Sequence, residues 1–199
     1  MSAPRFVFFG TLAVTNSTIS DNHAPGGGIS HGRGTLTVTN STISNNGALH
    51  GVQSSGNFTV ANSTFINSSI ENSGSTRISD TVLSVGGGGT TIFNDVGGTV
   101  TSFGYNLASD AGGGFLTGPG DQINTDPMLG PLKHNGGPTF THALLPGSPA
   151  INAGNPNFTP PPFFDQRGPG YPRVVNGRID IGSFEVQVPP TPTPTPTPP

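Results

Sequence analysis

The chain has no cysteine and no tryptophan among its 199 residues. Without cysteine there are no disulfides, no thiolate zinc sites and no thiol catalysis. Charge is scarce too. Asp, Glu, Lys and Arg make up 9% of the sequence, against roughly 25% in an average soluble domain. The seven Lys and Arg residues stand singly, so no basic stripe exists to hold nucleic acid or an anionic membrane. No run approaches the ~18 apolar residues that a spanning helix needs, and no membrane-spanning segment is expected. Phe6-Val7-Phe8-Phe9 is too short, and Arg5 too slight a basic flank, for a signal-peptide core; the stretch reads as the end of an earlier coil. A solenoid that begins almost at Met1 would lack the terminal unit such folds carry, so further sequence upstream, with its secretion signal, is the expectation.

What the chain has in abundance is Gly and Pro, 31 and 21 residues. Composition of that kind alone would point to disorder, but an internal repeat argues otherwise. Gly34-Thr35-Leu36-Thr37-Val38-Thr39-Asn40-Ser41-Thr42-Ile43-Ser44-Asn45-Asn46 nearly restates Gly10-Thr11-Leu12-Ala13-Val14-Thr15-Asn16-Ser17-Thr18-Ile19-Ser20-Asp21-Asn22. Phe58 to Phe65 is a third copy, and Ile78 to Ser84 a degraded fourth. The marker residues Asn16, Asn40, Asn62 and Asp80 are 24, 22 and 18 residues apart. Self-similarity near 20 residues is the signature of a solenoid.

Within a copy, Leu36 and Val38 alternate with Thr35, Thr37 and Thr39, the period of a strand with one apolar face. From Val38 to Ile43 the interval is odd, so one residue of bend must intervene, at Asn40. Each copy is therefore two short strands and a corner, and Gly and Asn clusters supply the turns back. Neither strand can bury its apolar face alone; stacked coils ~4.8 Å apart can. The predicted interior columns are Leu12, Leu36, Phe58; Val14, Val38, Val60, Ile78; and Ile19, Ile43, Phe65, Leu83. Asn16, Asn40, Asn62 and Asp80 form a corner column, expected to be a structural amide ladder.

This pattern resembles the right-handed parallel β-helix proteins of bacterial surfaces, and is similar to the repeats of polymorphic outer-membrane-type proteins, over residues 10 to 84. Further on, five motifs follow in order: residues 120–132 (GDQINTDPMLGPL), 135–139 (NGGPT), 141–154 (THALLPGSPAINAG), 165–168 (DQRG) and 180–185 (DIGSFE). The series resembles the C-terminal part of the choice-of-anchor Q domain proteins, over residues 98 to 186. The resemblance implies a secreted or surface β-helix whose C-terminus leads to an anchoring device. The expected organisation is coils over 1–119, a cap over 120–186 that closes the solenoid end and hides a pairing edge, and a Pro/Thr linker over 187–199 of polyproline type. Within the cap, Leu144-Leu145 and Ala150-Ile151 are expected to cover column ends, and Ile179-Asp180-Ile181 to form a last strand. The expected fold class is all-β, a pectate-lyase-like parallel β-helix.

Chemistry-bearing residues are few. His23, His31, His50, His134 and His142 lack ligand spacing and read as loop histidines. Asp121, Asn124 and Asp126 offer oxygens to Ca²⁺, but outside the alternating acidic loop, and turn or cap hydrogen bonding accounts for them equally. Ca²⁺ is thus the one candidate metal, and no other cofactor is expected. Asp126, Asp165, Arg167 and Asp180 are cap residues, with Asp165 and Arg167 expected as an ion pair or backbone clamp. Among the solenoid acids, Asp21 falls in register with Asn45 and Asn67, Glu71 aligns with Pro25 and Leu49, and Asp80 lies in the Asn column. None has an acidic neighbour at the ~5–9.5 Å of a glycosidase pair. Arg33 and Arg77, the solenoid's candidate bases, fall on separate coils. The expectation is a monomeric, non-catalytic protein, extracellular or on the cell surface, serving in adhesion, as a scaffold or in contact with an extracellular glycan or cell-surface component. The alternative is a polysaccharide lyase or glycoside hydrolase acting on an acidic polysaccharide, an analogy at the level of the fold.

Overall fold

The computed structural model describes residues 10–23, 27–46, 50–86 and 89–187; the Phe6–Phe9 stretch and the Pro/Thr tail from 188 on lie outside them. The chain winds as a parallel β-solenoid of about four turns. The first turn holds β1 (Gly10–Thr15), β2 (Thr18–Ser20) and β3 (Ile29–His31). The second holds β4 (Gly34–Thr39), β5 (Thr42–Ser44) and β6 (Val52–Ser54), and the third β7 (Asn57–Ala61), β8 (Thr64–Ile66) and β9 (Ile70–Asn72). The fourth holds β10 (Ser75–Ser79), β11 (Val82–Ser84) and β12 (Ile92–Asn94), after which β13 (Thr99–Ser102) and β14 (Leu107–Ala108) begin another. Equivalent strands pair in parallel into three sheets: β1-β4-β7-β10-β13, β2-β5-β8-β11-β14 and β3-β6-β9-β12.

The register carries the predicted columns. Leu12, Leu36 and Phe58 align, as do Val14, Val38, Val60 and Ile78 in the first sheet and Ile19, Ile43, Phe65 and Leu83 in the second. From the second turn on these side chains are buried in one core, each such burial favouring the fold by about 1.5–3 kcal/mol. The third sheet departs from the two-strand expectation. Ile29, Val52, Ile70 and Ile92 line the core there, followed two residues on by the inward column His31, Ser54, Asn72 and Asn94.

Three corners join the sheets, each solved by different chemistry. At the first, Asn16, Asn40, Asn62 and Asp80 all have φ between 47° and 52°, the left-handed region that Asn and Asp tolerate better than other side chains. This is the physical content of the odd interval. Beside them runs a hydroxyl column, Ser17, Ser41, Ser63 and Thr81. Each hydroxyl donates to the carbonyl two residues back, at 2.7–2.8 Å. Ser41 and Ser63 also accept the Ser N–H of the preceding turn, at 3.2 and 3.3 Å. The second corner uses Asp21, Asn45 and Asn67, again at positive φ, and Asn67 donates to Asn45 Oδ1 at 3.0 Å. The third is a stack of glycines, in which a Cβ on Gly34 would lie 2.1 Å from Gly10 O and one on Gly74 2.2 Å from Gly56 O. No side chain fits between turns so closely stacked.

The C-terminal segment corrects an expectation. Residues 119–125 do continue the stacking: Gln122 N–H donates to Asn106 O, and Ala108 N–H to Gln122 O. The chain then turns back and runs along the outer face of the second sheet, rather than over the column ends. It includes an antiparallel pair, β15 (Leu129–Lys133) and β16 (Thr141–Leu144); Ile179 and Ile181 are buried but form no strand. The outer column of the second sheet reads Thr18, Thr42, Thr64, Val82, Leu107. Its hydroxyl end meets polar partners: Thr18 donates to Phe140 O, Thr42 to Gln166 Oε1, and Thr64 accepts from Ser183 N–H. Its apolar end, Val82 and Leu107, packs with Leu144, Ala150, Ile181 and Phe184. The covering segment thus matches the column's own change from polar to apolar.

Candidate functional site

With the second sheet covered, the outer face of the first sheet stays open. Two of its rows run across the turns: Thr11, Thr35, Asn57, Ser75, Thr99, and Ala13, Thr37, Thr59, Arg77, Thr101. The rows lie about 7 Å apart along the strands and neighbours within a row about 4.8 Å apart. Period-two alternation produces this array: each inward residue places its two chain neighbours outward. The face is rich in hydroxyls and carries one charged side chain on its strands, Arg77.

At the margin of this face, where the first corner meets the C-terminal segment, lies a groove of about 390 Å³ lined by Thr59, Arg77, Ser79, Asp80, Phe103 and Asn155 among others. Phe103 is 57% exposed, although a large aromatic ring gains from burial. Asp80 forms part of the floor, its Oδ1 accepting the Asn155 N–H at 2.7 Å while its carbonyl accepts Gly182 N–H at 2.9 Å. Burial pushes its carboxyl up to about 6, opposed by the Asn155 N–H and by Arg173.

The corner column is where the two halves of the protein meet. Asn40 donates to Asn16 Oδ1 at 2.7 Å and also to Phe164 O at 3.1 Å. The amide chain stops there, since Asn62 Nδ2 and Asn40 Oδ1 are buried without partners. Asp80 faces the C-terminal segment rather than Asn62.

That segment holds a compact set of buried charges. Asp165 and Arg167 form a two-pronged pair, with Nη2 to Oδ2 at 2.6 Å and Nε to Oδ2 at 3.0 Å. The Arg167 guanidinium also sits between the rings of Tyr171 and Phe184, 3.9 and 3.8 Å from their centroids, and donates to Glu185 O. Asp180 accepts the N–H groups of Asn152 and Val186, and burial raises its carboxyl above the ordinary range. Arg173 and Glu185, not singled out from the sequence, are buried in the same cluster. Arg173 donates to the carbonyls of Asp180 and Gly182. Burial raises Glu185 to about 8 despite the nearby Arg173. In a chain this poor in charge, an acid within the apolar stretch Ile181-Gly182-Ser183-Phe184-Glu185 was the available signal. The cluster binds the segment to itself, and Asp126 stands apart from it, accepting Met128 N–H in a local turn at 2.9 Å.

The calcium candidates have other occupations. Asp121 accepts from Ser102 Oγ, Asn106 N–H and Nδ2, and Gly118 N–H, while Asn124 makes a turn at φ 52° with its N–H on Asp110 O. Among the described residues, no three His, Asp or Glu side chains gather into one group. Glu71 does not fall where counting from the corner put it: β9 pairs it with Gln53 and, on the other side, Phe93, because loop lengths differ between turns; Pro25 and Leu49 themselves lie outside the described residues. It accepts from Gln53 and lies 3.4 Å from His50 Nε2. Two of the five histidines are not loop residues. His31 is on β3, 3.2 Å from Ser54 Oγ, and His142 on β16 bridges Ser44 Oγ and Gly130 O at 3.0 and 2.8 Å.

No protein-family model, no curated protein and no solved structure matches this chain.

Proposed function

We propose that the protein is a non-catalytic extracellular or cell-surface β-solenoid that contacts glycan through the open face of its first sheet. The observation that carries this reading is the uncovered array of Thr, Ser and Asn side chains, bordered by a groove with an exposed aromatic ring. Hydroxyls and amides at strand spacing offer donors and acceptors to the hydroxyls of an extended saccharide, and an exposed ring offers it an apolar platform. The same reading places the chain with the surface β-helix proteins of the choice-of-anchor Q kind. The support for that finer assignment is the ordered motif series over residues 120–185.

The enzymatic alternative rests on Asp80, whose raised carboxyl is of the kind a general acid uses. Asp80 is the one acid among the groove's lining residues, whereas glycoside hydrolysis generally uses two carboxyls. That favours binding over cleavage.

Glycan-array screening of the full chain tests the binding reading, with a Thr59→Glu/Thr101→Glu variant as control. Both positions are exposed, so the variant should melt like the parent yet lose the glycans the parent retains. A chain that retains no glycan, or a variant that binds as well as the parent, would refute it. Incubation with pectate, alginate and a neutral glycan, followed by reducing-end and unsaturated-product measurements, tests the alternative. Turnover that disappears in Asp80→Asn would establish an enzyme.

A further inference from the structure

The geometry points to a carboxylate-bearing sugar, a uronate unit within a longer glycan, as the occupant of the groove, with Arg77 as its anchor; this rests on the glycan reading above. Arg77 is the one charged side chain on the five strands of the first sheet. It is exposed and makes no ion pair or hydrogen bond among the described residues. The other arginines of the groove's neighbourhood are committed: Arg167 to Asp165, Arg173 to two carbonyls, and Arg178 to Gly154 O and Ala153 O. A free planar guanidinium on an otherwise neutral face is complementary to one anionic group, and its fork fits a carboxylate through two parallel hydrogen bonds.

Phe103 sets where the sugar ring lies. Arg77 pairs with Thr101 on β13, and Phe103 is two residues further along that chain. The parity places both side chains on the same face, with Cα atoms ~8 Å apart. A pyranose resting its C–H face on Phe103 therefore reaches Arg77 with the carboxylate on its ring. Asp80 and Asn155, on the corner side of the groove, meet the opposite end of the ring. A carboxylate there would face Asp80, whereas a sugar hydroxyl can donate to it. The groove thus has a polarity: anion toward Arg77, hydroxyls toward Asp80.

The test is calorimetric titration of the full chain with oligomers of galacturonate, guluronate and glucuronate, each against its methyl ester. The ester keeps ring and hydroxyls and removes the charge. At least one acid should bind about 10- to 100-fold tighter than its ester, the loss expected for a charge-assisted pair. Arg77→Gln should bring acid and ester to equal affinity, and Phe103→Ala should weaken both alike. Equal binding of acid and ester by the parent for all three sugars, or a preference that survives Arg77→Gln, would overturn this inference and leave the glycan reading standing. Absence of binding to these six probes and to every neutral glycan of the array would remove both.

Discussion

Replacing Asn40 by leucine separates the two things a corner residue does. Asn40 holds φ at 52°, and its amide links the first two turns through Asn16 Oδ1 and the solenoid to the C-terminal segment through Phe164 O. Leucine in the left-handed region costs about 1–2 kcal/mol, from its Cβ against the following carbonyl. Loss of the two hydrogen bonds adds about 0.5–1.5 kcal/mol each. The Asn40 Oδ1 has no partner, so its removal adds nothing. The expected cost of Asn40→Leu is about 2–5 kcal/mol in all, or roughly 4–20 °C in Tm for a domain of this size. Asn40→Gly removes the same hydrogen bonds but takes up positive φ without strain, so it should cost only about 1–3 kcal/mol, and less than Leu by the strain. Thermal melts of parent, Leu and Gly variants, followed by circular dichroism, read the difference. A Leu variant that melts with the parent would refute the corner argument as a whole. Equal losses for Leu and Gly would refute the part that rests on φ.

Gly74→Ala should destabilise by about 1–3 kcal/mol through overpacking, since its Cβ would meet Gly56 O at 2.2 Å, whereas Gly10→Ala, with open space around it, should melt within error of the parent; equal melts for the two would remove the glycine-stack argument. Glu185, raised from 4.5 to about 8, binds its proton more tightly in the folded state than unfolded. Stability from this group is therefore present below pH 4.5 and lost as pH rises toward 8, and Glu185→Gln should flatten the fall in Tm over that window; an unflattened profile in a folded variant would show that another group titrates. Truncation after Pro119 should produce an aggregating chain, because it uncovers Val82 and Leu107 on the second sheet; a soluble monomer by light scattering would count against it.

The repeat determined a good deal by itself. Period-two alternation named every inward residue of the first sheet's regular turns, and the odd interval from Val38 to Ile43 located the corner, because both effects are local to a few adjacent residues. Stacking then followed from the fact that Thr-Leu-Thr-Val-Thr has only one apolar face to bury. The third sheet was not legible in the same way. Its strands each place one aliphatic residue inward, Ile29, Val52, Ile70 or Ile92, and follow it with a polar inward residue, so the alternation carries no hydrophobic contrast. Their distance from the corner residue also varies, at 13, 12, 8 and 12 residues, which hides the register and is why Glu71 fell beside unexpected neighbours. The Asp165–Arg167 partnership was open to a reader of the sequence, since the two residues are neighbours but one. The burial of Arg173 and Glu185 was not, because it depends on which face of the solenoid the C-terminal segment covers. Only the tertiary structure decided that. The segment follows the second sheet because its outer column passes from hydroxyls at Thr18 and Thr42 to Val82 and Leu107, and both ends find matching partners more than 30 residues away in the chain. That choice leaves the threonine face open and forms the groove beside Arg77 and Phe103, a juxtaposition of side chains from separate turns that no local pattern encodes.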